Sequence, residues 1–279
     1  MNIHTNPFVQ TLLQNERFAE PAAALWSGAS VSVSGIVGSS CALAAAALFQ
    51  QGHGSMVVVT PTVDAAEQVA EEIAVFLDAR HSVFLFPPLE QRDDVSESAL
   101  ALAIADESFG ERVHVLKRLV NPAEPRLIVV VSMAALLQPT VPPALLKERT
   151  QLLAVGNRVD VESLRHFLVE GGYHSTTAID LPGEFAIRGY ILDLFAPDWE
   201  QPVRIEFFND EIESIRRFDL TTQRSLQKLT EIDLTRLQPY ECTGASLLDY
   251  FALTTPIVLV EPAALAGVSL ALPPAPTLG

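Results

Sequence analysis

The sequence predicts an α/β fold: a parallel sheet covered by helices, with an α+β domain built on an antiparallel sheet inserted into it. Three observations carry this. Apolar runs of strand length, such as SMVVVT (Ser55 to Thr60) and RLIVVV (Arg126 to Val131), alternate with helical segments through the first half of the chain. Buried β-branched strands separated by helices indicate a parallel sheet. From about Thr150 the pattern changes to two-residue alternation in EFAIRG, YILDLF, VRIEFF and IESIRRFD, as expected of half-buried antiparallel strands. After Glu241 the chain returns to a helix followed by an apolar strand. Residues 1–149 are therefore read as the α/β core, 150–240 as the inserted domain and 241–279 as a return to the core.

Within the core, Ser30 to Gly35 is a short strand candidate and CALAAAALFQ (Cys41 to Gln50) an Ala-rich helix. Asp64 to Ala79 reads as an amphipathic helix with Val69, Ile73, Phe76 and Leu77 on one stripe. His81 to Phe86 is a strand, and Ser108 to Val120 a helix with Val113, Leu116 and Leu119 or Val120 facing inward. In the inserted domain, Val161 to Glu170 is a helix ended by Gly171 and Gly172. Asn209 and Asp210 separate two strands as a hairpin turn. In the last block SLLDYF is helical and PIVLVEP is a buried strand, while LALPPAPTLG shows no packing pattern. That block starts a fold without finishing it, so the chain is read as a piece of something longer.

Hydrophobic residues make up 49% of the 279 and charged residues 19%, a composition that buries a sizeable core and excludes a disordered tail. No apolar run reaches bilayer length, and the start lacks a basic stretch followed by an apolar one; the expectation is a soluble, cytoplasmic protein with no membrane partner. Cys41 and Cys242 stand far apart and in no metal-ligand spacing, which argues against a disulfide framework or a zinc site. The net charge is −16, from 18 basic and 34 acidic residues. Nucleic-acid binding rests on neutralising phosphates with Lys and Arg, so a chain this acidic is expected to bind DNA poorly by itself.

The stretch GIVGSSCA, from Gly35 to Ala42, has the layout of a nucleotide-binding P-loop. A working loop reads G-x-x-x-x-G-K-[ST]; its amides cradle phosphate, its lysine reaches the outer phosphates and its hydroxyl binds magnesium. Here Gly35 holds the first position and Gly38 lies inside the loop. Ser40 replaces the second glycine, Cys41 the lysine and Ala42 the hydroxyl. By itself the stretch is an ordinary glycine-rich βα turn. The strand IVLVE adds a second sign, because it ends in Glu261 as a magnesium-binding strand would, with Pro262 where a catalytic glutamate would stand. Together they read as a degenerate P-loop, RecA-like core with no catalytic residue, metal or cofactor. A separate reading takes Cys41 as a nucleophile activated by a helix N-terminus, although no His or Asp stands near it in sequence.

Several segments resemble UvrB and the UvrB-homology module at the front of bacterial transcription-repair coupling factors (Mfd). These are LLDYF…IVLVEP, TPTVDAAEQV (Thr60 to Val69), LIVVVSMAALL (Leu127 to Leu137) and, most specifically, GEFAIRGYILDLFAPDWEQPVRIEFFNDEIESIRRFD. The last is similar to the small inserted domain that the two families share. The resemblance places Ser132 where active relatives approach nucleic acid. Between Pro87 and Gly110 the sequence is acidic and lacks the aromatic hairpin with which UvrB clamps DNA. With the decayed loop, this favours the coupling factor over UvrB.

The resemblance implies a module that docks UvrA, the damage-recognition subunit. DNA and RNA polymerase would be engaged only through ATP-driven motor modules elsewhere in the full-length protein, and those modules are a second possible partner, by folding back on this surface. A residual nucleotide- or DNA-binding module is the alternative. Arg188 aligns with an arginine that contacts UvrA in the family. Strand alternation around it exposes Ile191, Asp193 and Phe195 if Gly189 shifts the register, and Arg204 and Glu206 alternate with inward Val203, Ile205 and Phe207. Relatives carry another arginine near the Gly-Tyr before this sheet; here His174 and Ser175 follow Tyr173. Without the resemblance, Arg188 is a solvated charge or an ion pair with Glu184 or Glu206.

Overall fold

The computed structural model describes residues 6–77, 82–89, 106–121, 126–236, 238 and 243–268. The chain separates into two compact units, one of Met1–Pro88, Asn121–Gln138 and Leu247–Gly279, the other of Leu89–Val120 and Pro139–Ser246.

The first unit begins with α1 (Pro7–Leu13), α2 (Glu16–Trp26) and α3 (Ser39–Gln51). Strand β1 (Met56–Thr60), helix α4 (Val63–Leu77), strands β2 (Val83–Phe86) and β3 (Ile128–Ser132) and, late in the chain, β12 (Ile257–Leu259) complete its centre. The sheet is parallel in the order β12-β1-β3-β2. Every residue of β1 and β3 is buried, as their unbroken Val/Ile runs require of strands covered on both faces. One side packs on Ala42, Ala45, Ala46 and Phe49 of α3 and Val69 and Ile73 of α4.

Three sequence expectations change in this unit. Ser30 to Gly35 is not a strand: the stretch is exposed, and although Val31 and Val33 alternate as a strand would need, no neighbouring strand pairs with it among the described residues. SLLDYF forms a single 3-10 turn, Leu247–Tyr250, too short for a helix of its own. The strand before Glu261 is an edge strand rather than a buried one; β12 pairs β1 on one side, and Ile257 and Leu259 stay exposed. The acidic stretch 90–105, Cys242 and residues 269–279 lie outside the described residues.

The second unit holds α5 (Glu107–Val120), β4 (Thr150–Ala154), α6 (Val161–Glu170), β5 (His174–Ser175), β6 (Glu184–Arg188), β7 (Ile191–Phe195), β8 (Val203–Phe208), β9 (Glu211–Phe218), β10 (Ser225–Leu229) and β11 (Glu231–Thr235). Six strands form one sheet in the order β10-β9-β8-β7-β6-β5, and β11 pairs β4 separately. The expected antiparallel sheet is mixed at one end, where the two-residue β5 runs parallel to β6. Asp160 caps α6 by accepting from the Ser163 amide at 2.9 Å, and Gly172, at φ 81°, turns the chain out of the helix. Leu164 and Leu168 of α6 pack with Phe185, Leu192, Leu194, Val203 and Ile205 on the sheet's inner face.

Helix α5 meets the loop after β7 through Gly110, where a Cβ would lie 2.0 Å from the Pro197 carbonyl oxygen. Lys117 secures the same contact with 2.6 Å to Asp198 and 2.9 Å to the Asp233 carbonyl. Gly110→Ala is therefore expected to cost about 1–3 kcal/mol of unfolding free energy in urea titration, by forcing backbone apart in a packed interface; an unchanged midpoint would contradict the contact.

Candidate partner-binding surface

The exposed arginine region is built by two neighbouring hairpins. Strands β6 and β7 are joined by Gly189 and Tyr190, with Arg188 paired to Ile191. Gly189 takes φ 61°, the left-handed geometry that a two-residue turn with glycine first requires. Strands β8 and β9 are joined by Asn209 and Asp210, with Phe208 paired to Glu211 and Asn209 at φ 58°, so the glycine-free turn forms as its sequence indicates. Ile191 pairs Glu206 across β7 and β8, and the Phe207 amide donates to the Tyr190 carbonyl at 2.9 Å. The two turns thus share one end of the sheet.

Side-chain alternation puts Ala186 and Arg188 of β6, Ile191, Asp193 and Phe195 of β7, Arg204, Glu206 and Phe208 of β8, and Arg216 and Phe218 of β9 on the face opposite α6. The alternation predicted this face correctly but not its exposure. Asp193 is 1% exposed and Phe195 is buried. Ile179, Ala186, Phe195 and Phe218 form a second apolar cluster there, flanked by Trp199 and Leu220. The sheet is therefore covered on both faces toward its middle, and the outward face opens to solvent at the hairpin end.

Asp193 organises the covered part. One of its carboxylate oxygens accepts from Arg204 Nε at 2.5 Å; the other accepts from Arg204 Nη2 at 2.9 Å and from Arg188 Nη2 at 2.6 Å. Arg204 also donates to Gln223 at 2.9 Å and lies 4.5 Å above the Phe218 ring. Its hydrogen bonds to Asp193 push the guanidinium's pKa upward. Glu206 accepts from Ser214 at 2.7 Å and is paired with Arg216. Arg188 thus pairs with neither Glu184 nor Glu206; Glu184 instead accepts from the Asp180 and Leu181 amides. The Arg188 side chain remains 56% exposed.

His174 is exposed but pairs Glu184, at the opposite end of β6 from Arg188, a separation of four residues or about 13 Å along a strand. The structure does not bring it to the hairpin end. Two exposed aromatics do lie there and were missed from sequence: Tyr190, 64% exposed, and Phe208, 69% exposed. Two-residue alternation could have found Phe208, which follows Arg204 and Glu206 in step.

The loop from Gly35 to Ala42 lies wholly in the first unit. Gly35 and Gly38 have φ 81° and 56°, and Gly38 caps α3 without a side chain. The Ser40 hydroxyl accepts from the Val37 amide at 2.9 Å and donates to the Val37 carbonyl at 2.6 Å. Ala42, where a magnesium-binding hydroxyl would stand, is buried in the core. Ser39 donates to Glu72 at 2.8 Å. Burial first, then Glu261 and Glu72, pushes the Cys41 thiol's pKa up, opposite to what helix-terminus activation requires. A cavity of about 660 Å³ lies beside the loop, between residues including Val31, Val33 and Cys41 and residues including Ile257, Leu259 and Glu261. Ser132 ends β3 and accepts from the Ala135 amide at 3.2 Å. Among the described residues no cluster of three His, Cys, Asp or Glu could hold a metal, and no helix is long and apolar enough to cross a membrane.

Removing Asp193 would strand Arg204, which is 17% exposed, without its carboxylate. Asp193→Ala is expected to cost about 3 kcal/mol of stability, against less than about 1 kcal/mol for Arg188→Ala at the exposed end. Equal losses in chemical denaturation would contradict this division.

Comparison with known proteins places these residues in a family. Residues 152–240 match the model of the UvrB interaction domain. The chain is 33% identical over 202 residues to the transcription-repair-coupling factor of Bacillus subtilis, covering 72% of this chain and 16% of that protein. It is 37% identical over 206 residues to that of Mycobacterium bovis, with the same two coverages, 72% and 16%. It is 28% identical over 205 residues to that of Escherichia coli, covering 71% of this chain and 17% of that protein. The chain thus spans about a sixth of the length of these relatives. It is homologous to the N-terminal region of transcription-repair-coupling factors and carries a UvrB interaction domain.

Proposed function

We propose that this chain is a non-catalytic, UvrB-like module that recruits UvrA in transcription-coupled nucleotide excision repair. The observation that carries the reading is the UvrB interaction domain match over residues 152–240, the region in which Arg188 stands exposed beside its paired carboxylate. An exposed arginine with adjacent apolar side chains is the composition from which protein interfaces draw their energy.

In this reading the first unit is a P-loop, RecA-like core that has lost its nucleotide site. Its Val37 amide is bonded to Ser40, Ala42 is packed in the core, and Glu72 and Glu261 both act electrostatically on Cys41. A phosphate there would meet carboxylates instead of a lysine, with poor electrostatic return. The chain then needs no cofactor and catalyses nothing. ATP-driven movement along DNA and displacement of stalled RNA polymerase belong to other modules of a longer cytoplasmic protein, and those modules fold back over the UvrA surface until it is needed. The net charge of −16 disfavours direct DNA binding by this region.

Calorimetric titration with cognate UvrA tests the reading. The wild-type chain is expected to bind, and Arg188→Ala to bind more weakly by at least about 1 kcal/mol; no heat of binding from the wild type would overturn it. In a parallel thermal melt, millimolar ATP with magnesium is expected to leave the midpoint unchanged, since a ligand of the folded state must raise it. A rise of several degrees would favour a residual nucleotide-binding module instead.

A further inference from the structure

We infer that strand β10, the open edge of the six-stranded sheet, is a separate docking site that takes an extended acidic peptide of a partner protein as an added strand. The site involves neither hairpin turn and does not rest on the UvrA reading.

The edge is open in its backbone. β10 pairs with β9 alone, so part of its amides and carbonyls face outward, where a further strand could bond them. Ser225, Leu226, Gln227 and Lys228 are all exposed, Leu226 by 50%. The opposite edge offers less, since β5 has only two residues. Strand addition draws its affinity from main-chain hydrogen bonds and its selectivity from the side chains beside the edge.

Those side chains are cationic. Residues 216–229 carry Arg216, Arg217, Arg224 and Lys228 against one acid, Asp219, on a chain of net charge −16. Asp219 is committed to its own turn, accepting from the Thr222 amide at 2.7 Å and the Thr222 hydroxyl at 2.8 Å. Arg216 is paired with Glu206, whereas among the described residues no carboxylate pairs with Arg217, Arg224 or Lys228. Gln227 and Lys228 stand opposite Arg217 and Arg216 in the ladder, which gathers the cations of both strands at one edge. Charge then selects the occupant. A second copy pairing edge to edge would set Arg224 and Lys228 against their own kind, and like charges across a strand pair are destabilising. An acidic strand meets the same cations with opposite charge, and its apolar residues can cover Leu226. The ligand is accordingly an extended segment in which acidic residues alternate with apolar ones.

The test is fluorescence anisotropy of a labelled peptide of alternating Glu and Val, titrated with the whole chain at low salt. The comparison probes are a peptide of alternating Lys and Val and the Glu-Val peptide N-methylated at every residue. The Glu-Val peptide is expected to bind, the Lys-Val peptide not to bind, and the N-methylated peptide to lose binding because it has no amide to donate. Arg224→Glu with Lys228→Glu is expected to raise Kd about tenfold, as two favourable cross-strand pairs turn repulsive. A thermal melt of that variant is expected to be unchanged, and Arg224→Lys with Lys228→Arg to bind as wild type. Lys147→Glu, at an exposed cation on the helix Pro143–Glu148, serves as the control for net charge and is expected to bind as wild type. No binding by the wild type, equal binding of the two charged peptides, or equal loss from Lys147→Glu would overturn the inference. Undiminished binding of the N-methylated peptide would overturn strand addition, and displacement of the Glu-Val peptide by a single-stranded oligonucleotide would give the edge to nucleic acid instead.

Discussion

A carboxylate buried in the middle of a sheet must be neutralised where it stands, because an unpaired charge in a water-poor interior costs several kcal/mol. Asp193 is that carboxylate, and arginines from strands on both sides of it supply the pairing. Its two oxygens fix Arg204 at two points, which lays the guanidinium over Phe218 and within reach of Gln223. Phe218 in turn closes the outer apolar cluster with Ile179, Ala186 and Phe195. The covered part of the face is thereby committed to structure. Arg188 shares the same carboxylate from the open side, which orients it without burying it. One acidic side chain thus divides the face into a scaffold and a surface available to others.

In the first unit the loop from Gly35 to Ala42 satisfies its polar groups from within. A loop that greets phosphate leaves its amides and a cation unsatisfied; here the Ser40 hydroxyl takes the Val37 amide and Ala42 joins the core beside Ala45 and Ala46. Such a loop stabilises the folded chain in the absence of any anion.

Much of the fold was legible because its signals are local. The valine runs of β1 and β3 announced buried parallel strands, and the Gly171-Gly172 pair marked the end of helix Val161–Glu170. Alternation through EFAIRG and YILDLF assigned the correct residues to each face. Exposure was not legible, because it depends on what covers a face. Ile179, Trp199 and Leu220 come from loops, where no periodicity marks them. The strand assigned to SVSVSG failed for a similar reason: β-propensity cannot create a neighbour to pair with. Tyr190 is not legible this way because a turn residue has no face in an alternation argument, whereas Phe208 is, continuing the outward step of Arg204 and Glu206. The docking role proposed for Arg188 rests on resemblance; its charge and position alone do not distinguish it from an ordinary ion pair.

Amide hydrogen exchange of the chain with and without saturating UvrA tests the central claim most directly, since it reports on every segment without assuming which matters. Protection is expected to concentrate at residues 188–191 and 206–211, the two hairpin tips, with residues 30–41, before and at the start of α3, unchanged. Protection confined to residues 30–41, with the tips exchanging as in the free chain, would contradict it.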